Sequence, residues 1–402
     1  MLLTKSLFTL LLIGVLVVVA PTACQTSSVP DPAAPAPART LVSSSLLNEF
    51  SAAQLRNRYT GATSLLRLFI RYGVRAYRLE YNTTDTDGKP IKASGAVIIP
   101  TDATTLVPML SMQHGTIQSD ADAPSNFNTS SEAYTFGSVF ASQGYIIAAP
   151  DYIGYGASKD RPHTYEQRAG LATASLDMLR ATREFLADNN VGWDKRLFIA
   201  GYSEGGYATM ALQKKLEEET SNEFNLVASS CGAGAYDKPA FMRQVVNEPT
   251  SGIASINRLY IWVLLTYDRI YGLNRPMSYY FKEPYATQIA DRGKDVDITV
   301  SLHTIFTDSF RKGINDGTDT AFLKAVQDND IHDWKPRTNT RLYHGDADNT
   351  VFYLNSQNTY QAMQNRGATN VTLETLKGAN HATGILGFIT GTYSFFGTVP
   401  AQ

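Results

Sequence analysis

Three residue types, far apart in the chain, would form one reactive unit if folding joined them: a serine, an imidazole and a carboxylate. A serine hydroxyl at its ordinary pKa is a weak nucleophile, so it needs a base, and the base needs an acid to hold its tautomer. Ser203 lies in Gly201-Tyr202-Ser203-Glu204-Gly205-Gly206. This is a G-x-S-x-G pattern, and the apolar run Arg196–Ala200 before it and the helical pattern Gly205–Glu219 after it supply the strand–turn–helix setting the pattern requires. A serine on so sharp a turn is forced into strained φ/ψ, and small residues on either side let neighbouring backbone pass. Composition alone yields such a match about 0.14 times in a chain of this length, so the setting carries the reading, not the pattern. Downstream, Tyr343-His344-Gly345-Asp346-Ala347-Asp348 follows an apolar run and offers two carboxylates. Lys377-Gly378-Ala379-Asn380-His381-Ala382 follows the next such run, and His381 is the one histidine after the acidic loop. The chain order is serine, acid, histidine.

A tetrahedral oxyanion needs two donors held ready. The N–H of Glu204, the residue after the nucleophile, is one; the other is expected from Gln113-His114-Gly115-Thr116, as the amide of Thr116 or Gly115. His114 ends a strand and His344 is expected to support the acidic turn. His163, His303 and His332 show no metal-like spacing, and His163…Glu166 reads as a surface contact; no metal and no cofactor are expected.

The elements that must position these residues are legible as periodicities. Arg75–Asn82 and Ala93–Pro100 flank Asp87-Gly88 and predict an antiparallel pair. Short apolar runs at Val107–Gln113, Tyr145–Pro150, Arg196–Ala200, Leu226–Cys231, Thr340–Tyr343 and Val371–Leu376 predict buried strands, and Gln167–Asn189, Gly205–Glu219 and Gln357–Gln364 predict helices between them. Strands buried on both faces and separated by helices imply an α/β fold with a mostly parallel, doubly wound sheet and helices on both faces. Residues 235–335 interrupt the alternation with about 100 residues, far beyond an ordinary loop. The stretch carries a helical pattern at Ile256–Tyr271 and reads as an inserted helical cap or lid. Its Tyr260, Trp262, Tyr267, Tyr279, Tyr280 and Phe281 are candidates either to wall an apolar acyl pocket or to pack the cap onto itself. The core is then 43–234 and 336–402.

The chain has 402 residues, 43% hydrophobic and 18% charged, with a net charge of -2. That composition excludes a disordered or fibrous chain, and the near-neutral balance without a Lys/Arg-rich run excludes a nucleic-acid partner. Residues 1–23 carry one charge, Lys5, and Leu7–Ala20 is a 14-residue apolar run. It is too short to span a bilayer and suits a signal peptide, and no later run reaches spanning length. Pro21-Thr22-Ala23-Cys24 resembles a bacterial lipobox, with Pro where Leu is usual. Gln25–Arg39 is a Pro/Ala/Ser stretch, so residues 24–42 read as a tether and Cys24 as a lipidation site, with simple secretion as the alternative. Gln25 after the cysteine implies the outer membrane if the lipobox rules hold. Cys231 is then a lone, reduced, buried thiol.

Together these segments resemble the α/β-hydrolase superfamily, and within it the secretory lipase family of fungal lipase A-like enzymes and their bacterial relatives. Four segments carry the resemblance: QHGT at 113–116, YIIAAPDYIGYG at 145–156, GYSEGG at 201–206, and HGDAD through GANH over 344–381. It spans about residues 75–395. Alignment with the H-G-x-x-D-x-x-V segment of that superfamily selects Asp348 as the acid over Asp346. The resemblance also implies that Asp151 and Tyr152 shape the pocket or the oxyanion side; residue types alone allow only a strand-end loop at Asp151, Tyr152 and Tyr155, and Tyr202 is a further pocket candidate. The implied activity is a serine carboxylic ester hydrolase with Ser203, Asp348 and His381 as its triad, acting through an acyl-enzyme at the cell surface on a small-molecule or lipid ester. Two alternatives share the pattern. One is a serine peptidase of the prolyl oligopeptidase type, disfavoured because no propeller fits before the first strand; the other is a catalytically inactive surface binding protein, which has no need of all three residues. Oligomeric state leaves no mark on the sequence.

Overall fold

A computed structural model describes residues 39–220 and 223–400. The leader over 1–23, Cys24 and the tether up to residue 38 lie outside the described residues. Among the described residues nine strands form one sheet: β1 (Leu41–Phe50), β2 (Val74–Thr84), β3 (Pro90–Pro100), β4 (Val107–Gln113), β5 (Ile146–Pro150), β6 (Trp193–Tyr202), β7 (Asn225–Gly232), β8 (Asn339–Gly345) and β9 (Val371–Leu376). Their order is β1-β2-β3-β5-β4-β6-β7-β8-β9. The first three strands and β5 are joined antiparallel; from β5 through β4 to β9 every pairing is parallel. The expected mostly parallel sheet is present.

The helices that matter here are α1 (Ala52–Arg58), α2 (Ser138–Ser142), α3 (Arg168–Asp188), α4 (Glu204–Glu218), α5 (Lys238–Asn247) and α6 (Ala254–Ile270); α7 (Met277–Tyr280), α8 (Tyr285–Arg292), α9 (Asp308–Asn315) and α10 (Thr320–Asp328) complete the insertion, and α11 (Leu354–Asn365) and α12 (Gly384–Gly397) follow. Side chains alternate along each strand, so each central strand feeds two cores. Leu110 and Met112 of β4, Ile147 and Ala149 of β5, and Phe198 and Ala200 of β6 pack with α1, α2 and the phenylalanines of α12. Met109, Ile146, Ala148, Leu197 and Ile199 point the other way, onto α3 and α4. Both faces are covered, which is why the strands read as continuous apolar runs.

β1 is the element that the sequence pattern hides. Residues 41 and 42 were expected in the tether, and nothing was expected as a strand before residue 75. LVSSSLLNEF is nonetheless an antiparallel edge strand paired with β2. Most of its residues are exposed, so backbone pairing rather than apolar alternation specifies it.

The insertion between β7 and β8 has its own core, in which Tyr280, Phe281, Phe306, Phe310 and Phe322 pack together. Its two ends meet. Asp237 caps α5 by accepting from Ala240 N at 3.0 Å and also accepts from Asn358 Nδ2 at 2.7 Å, while His332 Nδ1 lies 2.8 Å from both carboxylate oxygens of Asp330 and 3.9 Å from Asp237 Oδ1. These three side chains could offer ligand atoms to one cation, but the carboxylates are already engaged within the cluster, which reads as an ion-pair clasp. Burial alone would lower the His332 pKa; the hydrogen bond and charge of Asp330, aided by Asp237 and Asp333, outweigh it and raise the pKa above its ordinary value. A raised folded-state pKa means that the clasp stabilises fully below about pH 6.5 and fades as pH climbs through the raised value. Thermal unfolding of His332→Gln, followed from pH 5.5 to 8.5, is therefore expected to lose that part of the wild-type decline in Tm.

Candidate active site

The site is built where the parallel strands end. Ser203 caps α4 directly after β6, with φ 61° and ψ -125°, a left-handed conformation costly for a residue with a Cβ. The neighbouring glycines make the turn possible: a Cβ on Gly205 would lie 2.2 Å from the Gln113 carbonyl, and one on Gly206 2.1 Å from the Gly232 carbonyl. The turn is pinned by Ser203 N–H donating to Gly232 O at 2.9 Å.

The loop after β9 brings His381 to this turn, with Nε2 2.9 Å from Ser203 Oγ. Its Nδ1 lies 2.6 Å from Asp348 Oδ2. Tyr202 OH donates to His381 O at 2.8 Å and so fixes the loop from below. Asp348, in the loop after β8, has every acceptor position used: Oδ1 takes the N–H groups of Thr350 (2.8 Å) and Val351 (3.0 Å), and Oδ2 faces both His381 and His344 Nε2 (3.3 Å). Burial alone would raise the Asp348 pKa; the hydrogen bonds from His344 and His381 outweigh it and hold the carboxyl well below the usual carboxylate range. His344 is itself held by Ser356 Oγ and Val351 O, each at 2.7 Å. Asp346 lies elsewhere, exposed, accepting from Gly378 N at 2.6 Å and paired with Lys377.

The loop after β4 lies against Ser203, since a Cβ on Gly115 would come within 3.8 Å of Ser203 Cβ. Of the two amides anticipated there, that of Gly115 is occupied: it donates to Glu132 Oε1 at 3.1 Å. Burial raises the Glu132 pKa despite that bond and the nearby His114. The amide of Thr116 has no such acceptor among the described residues, and that of Glu204 opens α4, where backbone N–H groups lack intrahelical partners. Thr116 Oγ1 is 3.0 Å from Tyr165 OH.

The resemblance puts Asp151 and Tyr152 at the pocket or the oxyanion side; neither they nor Tyr202 line the cleft at Ser203, while Tyr152 holds the loop after β4. Asp151 is fully buried and accepts from Ser94 Oγ (2.5 Å) and Ser125 N (2.7 Å), with its pKa raised by burial. Tyr152 is also fully buried, and its OH donates to His114 O at 3.1 Å. Tyr202 lies under the histidine loop. These residues support the loops and do not line the cleft. The cleft instead opens from Ser203 between core and insertion, lined by Tyr165, Phe241, Val245, Tyr260, Val263, Leu264, Tyr267 and Phe306 among others. Of the six insertion aromatics singled out, Tyr260 and Tyr267 line it; Tyr279, Tyr280 and Phe281 pack within the insertion, and Trp262 stacks on Tyr165.

The expected surface contact of His163 with Glu166 is wrong in kind, because both are buried. His163 Nδ1 donates to Ile153 O at 2.6 Å and its Nε2 meets Glu204 Oε1 at 2.7 Å, while Glu166 pairs with Lys238 of α5. Burial pushes the Glu166 carboxyl up to about 7 against the pull of Lys238. No local spacing signals these partners, or Glu132, because each contact joins segments remote in sequence. Cys231 is buried and its thiol is pushed up to about 12 by burial, so it packs rather than reacts.

The chain as a whole is similar to known proteins. The model of the secretory lipase family matches residues 120–388. No curated protein matches the sequence. Among solved structures, a candidate hydrolase of Legionella pneumophila superposes with a TM-score of 0.80 at 24% identity over 90% of this chain and 99% of its own. The rice cell wall degrading esterase LipA of Xanthomonas oryzae does so with 0.76 at 24% identity over 90% and 99%. Candida antarctica lipase A in its closed state gives 0.63 at 18% identity over 90% and 83%. At these identities the three share the fold, that of the α/β-hydrolases.

Proposed function

Because this chain belongs to the secretory lipase family, and is thus a hydrolase of the lipase and esterase class, we propose that it hydrolyses carboxylic esters through Ser203, His381 and Asp348. The observation that carries this is the unbroken line Ser203 Oγ–His381 Nε2 at 2.9 Å and His381 Nδ1–Asp348 Oδ2 at 2.6 Å. Ser203 Oγ attacks the acyl carbonyl while His381 Nε2 takes its proton. The oxyanion receives the N–H groups of Glu204 and Thr116. His381 returns the proton to the departing alkoxide, forming the acyl-enzyme and free alcohol. Water, deprotonated by His381, then attacks the acyl carbon and releases the acid. Asp348 holds Nδ1–H throughout and balances the transient imidazolium. The apolar cleft that opens at Ser203 suits the acyl chain.

Secretion follows the family and the apolar leader; anchoring to the outer membrane through lipidated Cys24 is the further part of the proposal. Loss of the chain from the membrane fraction in Cys24→Ser supports the anchor, and retention argues against it. For the chemistry, a panel of p-nitrophenyl esters from acetyl to palmitoyl, a feruloyl ester and an aminoacyl arylamide should be tested beside fluorophosphonate labelling. Ester turnover with Ser203 labelled is the expected result. Arylamide cleavage without ester cleavage would replace the proposal with a peptidase, and a protein that neither labels nor turns over would replace it with a binding protein.

A further inference from the structure

Four consecutive residues, His163 to Glu166, touch both proposed oxyanion donors and the insertion at once. Toward the core, His163 Nε2 meets the carboxylate of Glu204 at 2.7 Å, and Tyr165 OH meets Thr116 Oγ1 at 3.0 Å. These are the side chains of the two residues whose amides the proposed mechanism assigns to the oxyanion. Toward the insertion, the Tyr165 ring stacks on Trp262 of α6 with centroids 4.2 Å apart and planes 15° from parallel. Arg269 of α6 donates to His163 O at 2.9 Å, Tyr267 OH donates to Glu166 O at 3.0 Å, and the Glu166 carboxylate holds Lys238 of α5. Glu166 adopts φ 53°, a strained value that these contacts on both sides maintain.

The loop His114–Ile117 has two other tyrosine supports: Tyr152 on His114 O at 3.1 Å and Tyr155 on Ile117 O at 2.7 Å. Both come from the turn after β5, in the core. Tyr165 differs because its opposite face is covered by the insertion, and it also borders the acyl cleft. An oxyanion donor misplaced by about 1 Å loses much of its value, since the site works only when its dipoles are set before the reaction.

We propose that His163–Glu166 is a strap through which the seating of α6 sets the oxyanion hole, with Tyr165 as the positioning residue for Thr116. This rests on the ester-hydrolase reading above. Seating α6 against the core presses Trp262 onto Tyr165, whose hydroxyl then holds the Thr116 side chain and with it the amide. The insertion is thereby part of the catalytic geometry and not only a wall for the acyl chain.

The test is a pair of mutant cycles in the full-length chain, read as kcat and KM on p-nitrophenyl butyrate, with Tm and fluorophosphonate labelling measured for each variant. Tyr165→Phe keeps the ring stack and removes the hydroxyl; kcat falls about 10-fold or more with KM within about twofold, because the donor acts on the transition state. Thr116→Val gives the same loss, and the double variant is no worse than either single, because both remove one hydrogen bond. Trp262→Leu lowers kcat about threefold in the wild-type background and not at all in Tyr165→Phe. Wild-type kcat in both Tyr165→Phe and Thr116→Val, or losses that multiply in the double variants, would overturn the strap while leaving the hydrolase reading intact. A wild-type chain that neither turns over esters nor labels overturns both. Should Tyr165→Phe fold poorly, Thr116→Val decides the same point alone.

Discussion

Ser203→Ala is expected to lower ester turnover by about 10⁴-fold or more, with Tm changed little and the kcat loss far exceeding any change in KM. The expectation follows from where the hydroxyl sits. Its Oγ is the atom 2.9 Å from His381 Nε2, and without it no covalent intermediate forms. What survives is the oxyanion hole and substrate binding, which in serine hydrolases still accelerate hydrolysis about 10³–10⁴-fold over water. The backbone strain at φ 61° remains with alanine, so stability has little reason to change by more than about 1 kcal/mol. Michaelis–Menten analysis of the purified variant on a short-chain p-nitrophenyl ester checks this, and activity within tenfold of wild type would exclude Ser203 as the nucleophile.

The second large effect separates two aspartates two positions apart. Asp348→Asn is expected to lower kcat by about 10⁴-fold, because an amide can donate to Nδ1 and stabilise the wrong tautomer, leaving Nε2 protonated toward Ser203. Asp346→Asn is expected to stay within about twofold, since that carboxylate meets Lys377 and Gly378 N at the surface and not His381. A pH profile adds a sign. The Asp348 pKa is lowered in the folded state, so its carboxylate contributes stability above the ordinary carboxylate range, and that contribution is lost as pH falls through the lowered value. Ester turnover of the wild type from pH 4 to 9 should therefore show no inflection near pH 4 that Asp348→Asn removes. Equal losses in the two variants would overturn the assignment of Asp348.

Legibility in the sequence tracks locality. The GYSEGG turn was readable because a strained elbow demands small residues at adjacent positions, and the sheet because its strands, covered on both faces, must be continuously apolar. The serine–acid–histidine order was readable because each residue follows its own strand. β1 was not, since an edge strand held by backbone hydrogen bonds needs no apolar period.

Residue types and spacing by themselves determined the fold class, pointed to Ser203 and His381, and marked the loop expected to bring an oxyanion donor, while leaving Asp346 and Asp348 open until the resemblance chose between them. Only the tertiary structure decided that Gly115 gives its amide to Glu132 while that of Thr116 meets no acceptor among the described residues, that Asp151 is buried on Ser94 and Tyr152 on the His114 carbonyl, and that His163 and Glu166 are buried polar groups bridging core and insertion. The physical reason is common to all of them. A hydrogen bond satisfied across 17, 41 or 72 positions of chain leaves no local period behind, and a buried polar group reveals its role only through the partner that folding sets beside it.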